Sequence, residues 1–193
     1  EAKQRLTASG TVSEQPNTYE DEITITITDA YGEAETGTHT ISLTDVTSGG
    51  AGTVTFQETL VGDPVTTIDI ESSSMGTFYM AADAVDDYTI RVNTAGLEYD
   101  DHPCTIVSGT ANRIVVVMPG QTLNEGSSPG YSGVVTDKLA GEEFNISIYV
   151  MDANYYVVDY DATETISLSE TDLGSSGGQH AQIKVGGGSY STT

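Results

Sequence analysis

The sequence has a single cysteine, no tryptophan and only six lysines and arginines among 193 residues. Cys104 alone cannot form an internal disulfide, and a cysteine-based metal cluster needs more ligands. No apolar run approaches the roughly 20 residues of a membrane-spanning helix, and no signal peptide is recognisable. We therefore expect no membrane insertion within this segment. The start at Glu1 rather than methionine suggests a processed protein or an excerpt from a longer one.

Basic residues are scarce while acidic residues are abundant, with 29 aspartates and glutamates and a formal net charge of −23. Such a surface repels nucleic acid and anionic lipid, so neither is expected as a partner. The acids are spread along the chain rather than gathered in a tail, so the charge does not imply disorder. It favours solubility and mutual repulsion between crowded molecules, with divalent cations as possible partners.

Two stretches of the chain, residues 23–43 and 144–168, share one pattern of strand, turn and strand. In each, side chains of two kinds alternate with a period of two, which is typical of a strand with one buried face. A turn then begins at an aspartate, Asp29 in the first copy and Asp152 in the second. The repeat has a period of roughly 125 residues, a spacing typical of one β-domain. In the second copy, the predicted inward side chains are Phe144, Ile146, Ile148 and Val150.

Short strands separated by turns every 8–12 residues or so predict an all-β fold. Roughly seven to nine strands fall between Leu6 and Val107, which fits a β-sandwich. The polar residues 109–112 form a natural seam, so we predict two domains in tandem, residues 1–111 and 112–193. Tyr88 opens a late strand, where immunoglobulin-like sandwiches often bond a tyrosine hydroxyl to nearby main chain.

Part of the second copy resembles the tandem immunoglobulin-like repeats of large bacterial surface and adhesin-type proteins. The residues that carry the resemblance are the run RIVVVMPGQT (113–122), Pro129-Gly130, Ala140-Gly141, Phe144 and the run VMDAN (150–154) with Val157-Val158. Glu142-Glu143 and Tyr155-Tyr156 depart from the pattern, and the first domain matches only over residues 23–43. The resemblance implies two immunoglobulin-like β-sandwiches within an elongated, multi-domain extracellular protein, and it carries over no catalytic residue.

The second copy is expected to lack its last strands, those that would match residues 88–92 and 104–107 of the first. Either the polypeptide continues beyond Thr193, or a neighbouring molecule supplies the strand, because an unpaired central edge exposes backbone groups and core.

Acidic residues lie together in two predicted loops of the first domain. Calcium takes six to eight oxygen ligands, which loops at the end of a sandwich can supply. A calcium site is therefore a hypothesis beside the simpler interpretation of solvated acidic loops. The candidate ligands are Asp83, Asp86, Asp87, Asp100 and Asp101, and no other cofactor is expected.

Two further features concern the second domain. Four tyrosines, Tyr149, Tyr155, Tyr156 and Tyr160, lie around its turn, and aromatic surfaces bind sugars or protein partners. Packing between domains or subunits is the alternative role for these rings. Asn145-Ile146-Ser147 is a glycosylation sequon that the alternation places away from the core.

No pattern in the sequence indicates an enzyme. The motif G-x-S-x-G occurs at residues 126–130 and 174–178, but a nucleophile elbow needs a strand–turn–helix context and an N–H after the serine. Pro129 follows Ser128 and has no N–H, and Ser176 lies in a glycine-rich loop. His39, His102 and His180 are scattered without metal-ligand spacing.

The sequence therefore favours an extracellular structural protein, a repeat segment or subunit of a cell-surface fibre, stalk or surface layer. Its expected partners are copies of itself or neighbouring repeats of the same polypeptide. The alternative is an adhesin-type module that holds glycan, protein or calcium through its acidic loops and tyrosines.

Overall fold

The computed structural model describes residues 4–50, 52–139 and 142–159. Within these ranges the chain is all-β, with thirteen strands and no helix, which confirms the predicted fold class. The chain divides into two compact units, Glu1–Val107 and Ser108–Thr193. The sequence-based boundary, after residue 111, and the immunoglobulin-like assignment of each unit stay predictions. In the described part, no helix has the length and apolarity needed to cross a membrane.

The first unit contains nine strands in its described residues. They are β1 (Arg5–Ser9), β2 (Ser13–Glu14), β3 (Glu22–Thr28), β4 (Gly37–Asp45), β5 (Val54–Gln57), β6 (Thr67–Ser73), β7 (Met75–Ala82), β8 (Asp86–Asn93) and β9 (Asp100–Ile106). One sheet has the strand order β1-β3-β7-β5, and the other has the order β2-β9-β8-β4-β6. All neighbours pair antiparallel except β2 and β9, which run parallel.

Inward side chains of both sheets form one core in the first unit. Strand β3 shows why: Ile23, Ile25 and Ile27 are fully buried, while the threonines between them are only partly covered. Alternation with β-branched residues on both faces suits a strand that is buried on one side only. Phe56 and Phe78 meet edge to face with ring centroids 5.9 Å apart.

Tyr88 bears out its predicted role at the start of β8. Its side chain is buried, and its hydroxyl donates a hydrogen bond to the Ala84 carbonyl oxygen at 3.0 Å. Gly52 lies directly against this hydroxyl, since a Cβ built there would be 2.5 Å from the tyrosine oxygen. The tyrosine therefore ties the loop before β8 to the core.

The second unit has four strands in its described residues. They are β10 (Arg113–Val117), β11 (Gln121–Leu123), β12 (Tyr131–Gly133) and β13 (Ser147–Met151). Strand β10 pairs antiparallel with β13, and β11 pairs antiparallel with β12. The predicted strand at residues 165–168 lies outside the described residues.

Strand β13 begins at Ser147, three residues later than the alternation of the sequence predicts, and Phe144 is exposed rather than buried. The most deeply buried residue of the strand is Met151, on the face opposite to the predicted one. Met151 packs with Val115 and Val117 of β10, beside side chains of the β11–β12 hairpin and of the turn after β13. Ile148, on the predicted inward face, is buried as well. Both faces of β13 therefore carry buried apolar side chains, and alternation alone does not identify a single covered face.

Candidate interaction sites

The five candidate calcium ligands do not form one cluster. The antiparallel register of β8 and β9 sets Asp86 and Asp87 opposite Ile106 and Thr105, whereas Asp101 lies opposite Arg91. The two groups of acids are thus separated by four residues of strand, or roughly 13 Å. Among the described residues, no group of three or more His, Cys, Asp or Glu side chains is arranged to hold a metal ion. A calcium site stays a prediction that would need oxygens from elsewhere.

Most of these carboxylates accept hydrogen bonds from other parts of the first unit. Asp83 accepts a hydrogen bond from the backbone N–H of Thr53 at 2.6 Å, and Asp100 accepts one from Ala8 at 2.8 Å. Each of these two bonds joins two strands or loops that are distant in sequence.

The remaining pair of interactions lies along the β8–β9 hairpin. Asp87 accepts the Thr105 hydroxyl at 2.7 Å. Asp101 forms two parallel bonds with the Arg91 guanidinium, both at 2.7 Å, which lower the pKa of its carboxyl. Four of the five candidate acids, Asp83, Asp87, Asp100 and Asp101, therefore bond to other parts of the first unit.

The tyrosines of the second unit are packed rather than displayed. Tyr156 is buried, and Tyr149 and Tyr155 are partly buried against the cluster of Met151 and its valines. Tyr160 lies outside the described residues. Their use as a partner-binding surface stays a prediction, and the described rings offer little free area for it.

Asn145, the glycosylation candidate, is exposed two residues before β13 begins. It therefore lies on the approach to the strand rather than within it. His102 is buried on β9 and its Nε2 lies 3.1 Å from the Gly10 carbonyl oxygen. His39 lies on β4, and His180 is outside the described residues.

The two aspartates that begin the repeated turns make the same contacts. Asp29 Oδ1 accepts the backbone N–H groups two and four residues further on, at 2.8 and 3.0 Å. Asp152 Oδ1 accepts the two equivalent groups at 2.8 and 2.9 Å. In both turns the backbone N–H of the aspartate also donates to the carbonyl oxygen four residues later. An aspartate side chain that accepts hydrogen bonds from the backbone N–H groups of a turn stabilises that turn.

One position of the turn differs between the units. Gly32 has φ of 87°, whereas the equivalent residue in the second unit, Tyr155, has φ of 68°. A tyrosine in the left-handed region costs about 1–2 kcal/mol relative to its usual conformation. Here the Tyr155 ring lies under the Arg113 guanidinium, with the ring centroid 3.9 Å from the guanidinium carbon. The Tyr155 hydroxyl lies 3.1 Å from Ser128 Oγ.

Arg113 joins the start of β10 to this turn. Its guanidinium donates to the Ala153 carbonyl oxygen at 2.9 Å and to Asn112 at 3.2 Å. Ser128, the serine of the first G-x-S-x-G motif, therefore takes part in a structural contact with Tyr155. Together, these contacts of Arg113, Ser128 and Tyr155 hold the turn in place.

The most unusual ionisable group is Glu14 on β2, which sequence reasoning missed. Its side chain is 3% exposed, and one carboxylate oxygen accepts the backbone N–H groups of Glu20 and Asp21 at 2.7 and 3.3 Å. The other oxygen is buried without a partner. Burial raises the pKa of this carboxyl from 4.5 to about 7, against the opposing effect of the two backbone bonds. The alternation of Val12 and Glu14 on one face of a strand was the signal available in the sequence.

Cys104 lies beside Glu14 in the same core. Its thiol is buried, and burial, with a smaller contribution from the Glu14 charge, raises its pKa to about 12. A thiol held in its neutral form is a weak nucleophile, so Cys104 acts as a small apolar core residue.

No protein-family model and no curated protein matches this chain. Among solved structures, it is similar to domains 5–6 of the S-layer protein SbsC, with 20% identity and a TM-score of 0.38, over 88% of this chain and 79% of that one. It is also similar to domains 4–9 of the surface layer protein SbsC, with 19% identity and a TM-score of 0.37, over 86% of this chain and 23% of that one. The resemblance to immunoglobulin-like repeats thus stays a prediction.

Proposed function

We propose that this chain is a load-bearing segment of an extracellular structural protein, a repeat segment or subunit of a cell-surface fibre, stalk or surface layer. It would act through packing between domains and between subunits, and each unit would be an immunoglobulin-like sandwich. The single observation that carries this proposal is the parallel pairing of β2 with β9 in the first unit.

Parallel pairing of an early strand with the last strand determines how a pulled unit resists force. When the two ends of the unit are drawn apart, parallel strands must slide past each other, so their hydrogen bonds are loaded together rather than one at a time. Two such bonds are Thr105 N–H to the Val12 carbonyl oxygen at 3.2 Å and Val107 N–H to the Glu14 carbonyl oxygen at 2.9 Å. A second parallel bridge joins β1 to Glu98.

The repetition of the strand pair and its aspartate turn in the second unit supports the same function. Tandem units add length without needing a new fold, and a surface with a net charge of −23 disfavours nonspecific association. The adhesin alternative has less support from the described residues, because the tyrosines are packed and the aspartates are dispersed.

Single-molecule stretching of the 193-residue chain between handles tests this function. We expect the first unit to unfold in one step that releases roughly 35 nm of chain, at about 3.3–3.6 Å per residue. Val107→Pro removes the bond to Glu14 and should lower the force of that step. Val46→Pro is the matched control, since it removes a bond of the same length, from Val46 N–H to the Thr89 carbonyl oxygen, that does not join the parallel strands.

If both proline variants reduce the unfolding force equally, the parallel pair does not bear the load and the proposal fails. The cellular part is tested separately by protease treatment of intact source cells. Release of the protein from the surface is expected, and complete protection of a protease-sensitive chain would contradict an extracellular location. A glycan array that the purified chain binds specifically would favour the adhesin alternative.

A further inference from the structure

The parallel junction between β2 and β9 is short because a proline interrupts the edge of β9. The Thr105 N–H donates to β2, but Pro103, two residues earlier on the same edge, has no N–H to donate. The Gly10 carbonyl oxygen is bound instead by the His102 ring, with Nε2 at 3.1 Å. A carbonyl oxygen only accepts hydrogen bonds, so Nε2 is the donor in this contact. Since few backbone bonds hold β2, its side chains affect how firmly it stays on β9.

Glu14 ties β2 to the segment that leads into β3. One of its carboxyl oxygens accepts the backbone N–H groups of Glu20 and Asp21, and Asp21 in turn accepts the Ser13 N–H at 2.9 Å. Both bonds of Glu14 end on that one oxygen, and the other, Oε1, is buried with no hydrogen-bond partner. A neutral carboxyl can be buried at modest cost, whereas a charged carboxylate with an unbonded oxygen is far more costly. The tie is therefore sensitive to ionisation.

Other titratable groups face Glu14 from both sides of the junction. The charges of Glu20 and Asp21 oppose its ionisation and so add to the larger effect of burial. On β9, burial raises the pKa of Cys104 to about 12, which keeps this thiol neutral. His102 lies on the same buried face of β9, with its ring bonded as described above. The acidic neighbours therefore increase the cost of a carboxylate at this position.

Strand β2 also lies between two points at which the backbone turns. Gly10 has φ of 141° and Asn17 has φ of 62°, in regions that glycine and asparagine adopt more readily than other residues. A Cβ at Gly10 would lie 2.6 Å from the Glu22 carbonyl oxygen, so this position requires glycine. Beyond the strand, the Asn17 N–H donates to the Ala82 carbonyl oxygen at 2.8 Å, which anchors the chain to the other sheet. Residues 11–16 thus form a short segment that can separate from β9 while the chain on either side stays in place.

We propose that Glu14 is a pH-sensitive latch: its neutral carboxyl keeps β2 on β9, and its ionisation releases residues 11–16 while the two sheets stay folded. Once released, the carboxylate is hydrated and escapes the cost of burial. The pKa of Glu14 is about 7 in the closed state and 4.5 when solvated. The closed state is therefore fully stabilised below pH 4.5 and loses this stabilisation as the pH rises to about 7. The opening equilibrium constant should increase by up to roughly 300-fold over that range, which is the ratio of the two acid dissociation constants.

Hydrogen exchange of the full 193-residue chain, followed by NMR from pH 4.5 to pH 8, tests the latch. We expect the N–H groups of Thr105 and Val107 to exchange through an opening that depends little on urea, since it exposes little surface. Their protection, corrected for the intrinsic exchange rate at each pH, should fall by up to roughly 300-fold and level off above pH 7. The Val46 N–H, in a bond as long as that of Val107 but outside the junction, should stay more protected. If Thr105 and Val107 open only together with the whole unit, and with its urea dependence, the proposal fails.

Two variants that each remove one negative charge separate Glu14 from other titrating groups. Glu14→Gln keeps an acceptor for the two backbone bonds and cannot ionise, so the protection of Thr105 and Val107 should no longer depend on pH. Glu71→Gln removes a charge from an exposed position on β6 and should leave the fall in protection as it is in the native protein. A pH dependence that persists in Glu14→Gln would assign the opening to another group, such as His102, and would overturn the proposal.

Stretching the chain at pH 5 and pH 8 connects the latch to the proposed load-bearing function, on which this last step rests. We expect the first unit to unfold at a lower force at pH 8, and the Glu14→Gln variant to show no such difference. If hydrogen exchange detects the opening but the force is the same at both pH values, the latch stands and the load-bearing role of the junction fails. If Val107→Pro lowers the force but hydrogen exchange detects no separate opening, the load-bearing role stands and the latch is overturned.

Discussion

Single residues with unusual surroundings affect how the stability of this protein depends on pH. Glu14 is the clearest case, because its buried carboxyl has a pKa near 7 in the folded chain and an ordinary value of 4.5. The folded state thus holds this proton more tightly than the unfolded state does. The resulting stabilisation is present below pH 4.5 and is lost as the pH rises to about 7.

Glu14→Gln should remove this dependence while keeping an oxygen that accepts the backbone bonds of Glu20 and Asp21. We expect the melting temperature of the variant, relative to the native protein, to rise between pH 4.5 and 7 and then to level off. The control is Glu71→Gln on β6, which removes one negative charge from an exposed position. Thermal unfolding followed by circular dichroism at a series of pH values measures the difference, and a difference that is constant across this range would refute the assignment to Glu14.

At the scale of the element, the repeated aspartate turn shows how burial changes the contribution of the same side chain to stability. Asp152 is 1% exposed, and its second oxygen also accepts the Gly109 N–H at 2.8 Å. The side chain of Asp29 makes the two turn bonds and is partly open to water. Loss of the side chain leaves buried N–H groups unsatisfied in the second unit but solvated ones in the first.

Asp152→Ala should therefore cost about 2–4 kcal/mol of unfolding free energy, and Asp29→Ala about 1 kcal/mol. Urea unfolding of each variant, with hydrogen exchange to separate the two units, gives both values. Similar losses for the two substitutions would show that burial does not distinguish these turns.

The elements that the sequence predicted well are those whose local chemistry is self-contained. The Asp29 and Asp152 turns and the Tyr88 hydroxyl bond depend on contacts within about five residues, so their patterns were visible without the fold. The burial of Met151 on the other face of β13 was not visible, because it depends on side chains of the β11–β12 hairpin, which are distant in sequence. The positions of Asp87 and Asp101 depended in the same way on the register of the β8–β9 pair.

At the scale of the whole molecule, like charges oppose the compact state. The chain has 29 acidic and six basic residues. The described residues contain two ion pairs, Arg91–Asp101 and Lys138–Glu142. Exposed pairs of this kind are worth little and are weakened by salt. The repulsion among the remaining acids is screened by the same salt, as the Debye length falls from about 30 Å at 0.01 M to about 3 Å at 1 M. Screening of the repulsion should dominate because acidic residues outnumber basic ones by 29 to six.

We therefore expect the melting temperature to rise as sodium chloride increases from 10 mM toward 1 M, most steeply at the low end. Calcium and magnesium chloride should give coincident curves at matched ionic strength, because the register of β8 and β9 keeps Asp86 and Asp87 apart from Asp100 and Asp101. The Asp101→Asn variant is a control for the pair with Arg91, and it should keep the salt-induced rise. A melting temperature that falls with salt would show that attraction rather than repulsion governs the surface. A rise with calcium alone, reversed by EGTA, would instead reveal a specific site, with ligands in addition to those that the register brings together.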